Sequence, residues 1–137
     1  EKGKDVTDIC SNSDFATMAS PGSWVVNPDW AAQNADVIVR FNRAMFKAMD
    51  FAAAATTDDA VAQEVAGYVA KITGLDVEST IAQRYDGSWL TSAQVLEMIE
   101  SGKLVEYYNN QQVNFGDAAG PLKADEFVLI DLMTGAK

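Results

Sequence analysis

The chain has 137 residues, 48% of them apolar, and ten Lys+Arg against twenty Asp+Glu give it a formal charge of −10. That length suits one domain with a core of its own and is short for two, and the composition is that of a folded globular chain rather than a disordered tail. The acidic balance argues against DNA or RNA as partner, because phosphate backbones are bound by a cationic face, and no apolar run approaches the roughly 20 residues of a spanning helix.

Residues 1–22 are polar, rich in Ser, Asp and Gly, and show no sustained period. Residues 23–26 (SWVV) read as a short buried strand that Asn27-Pro28 ends, since proline cannot continue a central ladder. A helix is expected from 35 to about 55, with Asn34 as cap, Asp36 facing the positive dipole end, and an apolar stripe of Ile38, Phe41, Met45, Ala48 and Ala52. A second helix runs over 58–73 along Val61, Val65, Tyr68/Val69 and Ile72, and Gly74 supplies its left-handed stop.

Asp76 then caps a short segment with Val77, Ile81 and Tyr85 in line, and Asp86-Gly87 is a turn signal. Thr91-Ser-Ala-Gln94 is a capping box, with Leu90 placed to staple onto Val95, and that helix stops at Gly102. Lys103–Phe115 continues helically until Gly120-Pro121 breaks the pattern, and 127–133 (FVLIDLM) reads as a last helix. The expected fold is mainly helical with one short strand. A strand as apolar as SWVV needs partners for its backbone groups, and the rest of the chain does not supply them. Either the chain is an all-helical domain with a stray strand, or the sheet to which the strand belongs lies elsewhere.

Motifs for chemistry are mostly absent. There is no histidine, and Cys10 is the single cysteine, which removes His-based triads, His-containing zinc sites and any intrachain disulfide. Cys10 has mainly Asp5, Asp8 and Asp14 as charged neighbours in sequence, the wrong sign for stabilising a thiolate. Asp58-Asp59 reads as a helix-dipole partner and Glu97/Glu100 as a solvated face, so neither is taken as a metal or acid–base pair. No catalytic residue, metal or cofactor is expected. Aromatic side chains near chain breaks are the better candidates for a ligand cleft: Trp24 in the expected strand, with Tyr85 and Trp89 on either side of the Asp86-Gly87-Ser88 turn. For Trp24 and Trp30 the favoured reading is core or helix–strand packing. The loop Ser20-Pro21-Gly22-Ser23 enters the strand at a place where α/β folds carry ligand contacts.

Several stretches, in order, carry a resemblance: SWVVNPDW, the Ala-rich helix opened by Asn34-Ala-Asp-Val, a helix ending Lys71-Ile-Thr-Gly-Leu75, Tyr85 followed by Trp89-Leu-Thr-Ser-Ala-Gln94, Phe115-Gly-Asp-Ala-Ala-Gly120, and Asp125-Glu-Phe-Val-Leu-Ile. The pattern covers nearly the whole chain and resembles the C-terminal portion of the solute-binding proteins of ABC importers for nitrate, sulfonate and taurine, close to the thiamine-precursor binders. It is a pattern of hydrophobic and capping positions rather than a fingerprint motif. The resemblance implies the C-terminal part of an α/β two-lobed periplasmic-binding-protein (type II) fold, periplasmic or at the cell surface. Such a protein closes on a small anionic or zwitterionic solute and delivers it to a membrane permease, without chemistry of its own. The N-terminal remainder of the same protein would hold the missing strands. Carried over, the residues ahead of the strand that touch ligand are Pro21, Gly22 and Ser23. Where taurine-type members hold an acidic residue there, this chain has Gly22, which puts an amine-recognising contact in question. The alternative expectation is a stand-alone helical protein-interaction domain.

Overall fold

The computed structural model describes Ile9 and residues 22–85, 89–115 and 123–136, without the side chains of 113–115. Eight α-helices follow one another in these segments: α1 (Pro28–Gln33), α2 (Ala35–Ala54), α3 (Asp59–Thr73), α4 (Val77–Ala82), α5 (Ser92–Glu100), α6 (Lys103–Phe115), α7 (Ala124–Phe127) and α8 (Ile130–Thr134). A 3₁₀ turn, Gln83–Tyr85, extends α4. No strand occurs among the described residues.

The expected strand is therefore corrected: 23–26 lies outside any regular element, with Trp24 and Val25 77% and 93% exposed. Its stop signal is the start signal of α1, which the periodicity did not reveal. The Asn27 side chain accepts the Trp30 N–H at 3.1 Å, and Pro28 takes the first helical position, where its missing N–H costs nothing.

Local capping accounts for several of the other boundaries. Asp58 accepts the N–H groups of Ala60 and Val61 at 2.9 and 3.1 Å. Gly74 ends α3 at φ 74°, a left-handed conformation that a Cβ disfavours. Asp76 accepts both the N–H and the hydroxyl of Ser79, at 2.8 and 2.7 Å. At α5 the capping box forms as its spacing predicts, with Gln94 Oε1 taking the Thr91 N–H at 2.8 Å. Asn34 departs from expectation: it precedes α2 but makes no side-chain capping bond there, because its Nδ2 donates back to the Trp30 carbonyl at 2.9 Å. The expected final helix is two short ones, α7 and α8, interrupted at Val128 and Leu129.

Helix α2 is the hub, with α1, α3, α5 and α8 packed against it. The apolar cluster is Phe46, Val95 and Ala136, surrounded by Met49, Leu96, Ile99 and Met133. Asn42 Nδ2 fastens α8 to α2 through the Leu132 carbonyl at 3.2 Å. The buried line of α2 thus runs through Phe46 rather than the expected Phe41, which is 41% exposed. In α3 the buried positions are Ala62 and Ala66, while Tyr68 and Ile72 face out. Helix α3 is turned so that its small side chains meet neighbours, and both helices leave large apolar side chains outside. Among the described residues no large side chain is fully buried, and six of the nine buried apolar residues are alanine.

Candidate functional site

The sequence-predicted residues fall into two groups, with Pro21 outside the described residues, as are Cys10, the 86–88 turn and Gly120-Pro121. The first group surrounds the segment entering α1. Gly22 is exposed and has open space where a Cβ would stand. Ser23 shares a 2.7 Å hydrogen bond with the Tyr108 hydroxyl, 85 residues away on α6. Trp24 packs edge-on to Phe41 of α2, ring centroids 5.5 Å apart at 80°. Tyr108 in turn meets the ring of Phe127 edge-on at 6.2 Å. The two edge-to-face contacts orient these rings without enclosing them.

The second group lies where α4 gives way to α5. Trp89 is half exposed, and its indole N–H donates to the Arg84 carbonyl at 2.8 Å. The Arg84 guanidinium stands 4.8 Å from the centre of the Tyr85 ring, within cation–π range. Its Nη1 donates to Asp59 at 2.7 Å. The Arg84 side chain is 20% exposed against 91% for Asp59, so the ion pair joins a sheltered cation to a solvated anion. The hydrogen bond that Arg84 donates to Asp59 raises the Arg84 pKa above its ordinary value, and burial opposes that rise. Among the described residues, the buried Nε of Arg84 has no hydrogen-bond partner.

Asp50, near the end of α2, fixes the start of α5 in place. Its carboxylate accepts the N–H and the hydroxyl of Ser92, both at 2.7 Å. Trp89 is thereby held between two anchors, the Arg84 carbonyl before it and the Asp50–Ser92 pair after it. These contacts hold each group together, and none of them runs between the two.

Arg84, Tyr108 and Asp50 were not among the predicted site residues. Arg84 adjoins Tyr85 in the sequence, and a cation beside an exposed aromatic was a readable signal. Tyr108 and Asp50 reach their partners across 85 and 42 residues, and no local pattern announces such pairings.

The remaining acidic candidates are accounted for locally. Asp58 caps α3, Asp59 pairs with Arg84, and Glu97 and Glu100 are exposed. Among the described residues, no cluster of three or more His, Cys, Asp or Glu side chains could hold a metal ion. An open groove of about 480 Å³ lies at the α7–α8 break, lined by Asp125, Glu126, Leu129 and Asp131 among others. No described helix is long and apolar enough to cross a membrane. Compared with protein-family models, curated proteins and solved structures, the chain gives no match.

Proposed function

We propose that the chain is the C-terminal portion of an extracytoplasmic solute-binding component of an ABC importer. It would take a small anionic or zwitterionic solute of the nitrate, sulfonate, taurine or thiamine-precursor class between two lobes and hand it to a membrane permease. The observation that carries the reading is the uncovered apolar run Trp24-Val25-Val26 ahead of a helical unit whose large side chains are only partly buried. Leaving such side chains in water forgoes about 1.5–3 kcal/mol each. Large apolar side chains this exposed suit burial against another part of the same protein. The order of elements, α2, then α3 ended by Gly74, then α5 opened by the Thr91–Gln94 box, is also the order of the stretches that carry the resemblance.

The coding sequence upstream of Glu1 tests this directly. The reading expects it to continue in frame through alternating strands and helices to a secretory signal; an initiation codon immediately before Glu1 with a stop codon upstream would refute it. Calorimetry adds a second check. With half of a cleft, the 137-residue chain alone should bind taurine or nitrate weakly or not at all, and micromolar affinity would overturn the two-lobe picture. The exposed rings of Trp24, Tyr85 and Trp89 also suit the second reading, a self-sufficient helical interaction domain. That reading requires a stable, cooperatively melting monomer, which sedimentation and thermal melts would reveal.

A further inference from the structure

We infer that the groove at the α7–α8 break is a docking site for an arginine-bearing, extended segment of a partner protein. The site is independent of the solute-binding reading and holds under either of the two functions considered above. The groove exists because one residue interrupts the final helical stretch. Leu129, at φ −79° and ψ 61°, is the centre of an inverse γ-turn, in which the Ile130 N–H donates to the Val128 carbonyl at 2.8 Å. The turn parts α7 from α8, and the groove of about 480 Å³ is lined from both, with Leu129 left 39% exposed in its wall.

Val128, Leu129, Ile130 and Leu132 make that wall apolar, and Asp125, Glu126 and Asp131 set carboxylates around it. Among the described residues no lysine or arginine lines the groove. Glu126 has one oxygen engaged by the Lys123 N–H at 2.7 Å, whereas the Asp125 and Asp131 carboxylates enter no ion pair or hydrogen bond among the described residues. These carboxylates do not converge closely enough to hold a metal ion. Carboxylates spread around an apolar wall instead match a cation carried on an apolar stem. An arginine side chain fits both parts: its methylenes lie along the wall, and its planar guanidinium donates two parallel N–H bonds to a carboxylate. Because the groove is open to solvent, such a side chain can enter from a passing peptide whose apolar neighbours cover Leu129. The chain's formal charge of −10 favours the approach of a basic segment from a distance.

The test is calorimetry on the whole protein encoded by the gene with a capped Leu-Arg-Leu-Arg-Leu peptide. Wild type should bind it, and the same peptide with Glu in place of Arg should not bind. Free argininamide, which lacks the apolar flanks, should bind about tenfold more weakly or less, and an affinity equal to the peptide's would overturn the peptide as occupant. Asp125→Asn combined with Asp131→Asn keeps the shape of both side chains and should weaken peptide binding about tenfold or more. Glu78→Gln combined with Glu97→Gln removes the same charge from exposed positions outside the groove and should leave the affinity within about twofold. Equal weakening by the two double variants would mean attraction to net charge alone and would overturn the site, as would a wild type that ignores the arginine peptide. Hydrogen exchange of the wild type should slow at 125–132 when the peptide is added. Protection confined to other segments overturns the site even where the Asn variant does not fold.

Discussion

Asp50 ties the longest helix to the α5 N-terminus through a single carboxylate, and replacing it with alanine isolates that tie. Ser92 is the first residue of α5, so its N–H is one of the amides that a helix leaves without an internal partner. Asp50 supplies that partner from another helix, adds a bond from the Ser92 hydroxyl, and places a negative charge at the positive end of α5. A helix-start contact is typically worth about 0.5–2 kcal/mol, and solvent exposure discounts the charge, so Asp50→Ala should cost about 1–2 kcal/mol. With a urea slope of about 2 kcal/mol per molar, the unfolding midpoint of the 137-residue chain should fall by roughly 0.5–1 M. Ser92→Ala removes only the hydroxyl bond and leaves the N–H bond intact. A double-mutant cycle should then give a coupling of about 0.5–1 kcal/mol. A midpoint for Asp50→Ala that matches wild type, or single effects that simply add, would refute the tertiary cap.

Phe46 is the one aromatic side chain in the buried cluster, so Phe46→Ala should cost about 3–4 kcal/mol, a large share of a typical stability, seen as a steep drop in melting temperature. Two glycines should respond with opposite signs: Gly74→Ala forces a Cβ into the left-handed region and loses about 1 kcal/mol, whereas Gly67→Ala within α3 gains about 0.5–1 kcal/mol. Both positions have open space for the added methyl, so backbone conformation alone decides the sign. The Tyr68 hydroxyl donates to Glu64 at 3.1 Å, and that bond, then the charge of Glu64, raises the phenol's pKa above its ordinary value. This contribution is present at neutral pH and is lost as pH rises through the folded-state value. Glu64→Gln should bring tyrosine ionisation, followed by ultraviolet absorbance, to lower pH.

The helices were legible where the sequence speaks locally. Asp76, the Thr91–Gln94 box and Gly74 act within four residues of themselves, and each appears where its spacing places it. The segment 23–28 failed because one signal has two meanings: Asn27-Pro28 ends a strand and also begins a helix, and here the Asn27 cap decides for the helix. Helix faces were legible only to within a rotation. Periodicity put Phe41 in the α2 stripe and left Phe46 out of it, but the neighbours α5 and α8 enclose Phe46 instead. Of the candidate site, the exposed aromatics were visible as residues, but their partners were not. Tyr108 and Asp50 act across the fold, where no window of sequence reaches.

The prevalence of alanine inside this protein limits how it can change. Ala31, Ala55, Ala62, Ala66, Ala124 and Ala136 are each at most 4% exposed. Where a methyl group is all that stands at a contact, the backbones themselves set the spacing, toward the short end of the usual 8–10 Å between helix axes. An ordinary core tolerates drift in both directions, trading a methylene here for one there. At these six positions there is almost nothing left to trim, and any enlargement must push an entire helix aside. Substitution there is a one-way street, and homologues that differ at these sites should differ in the spacing of their helices as well.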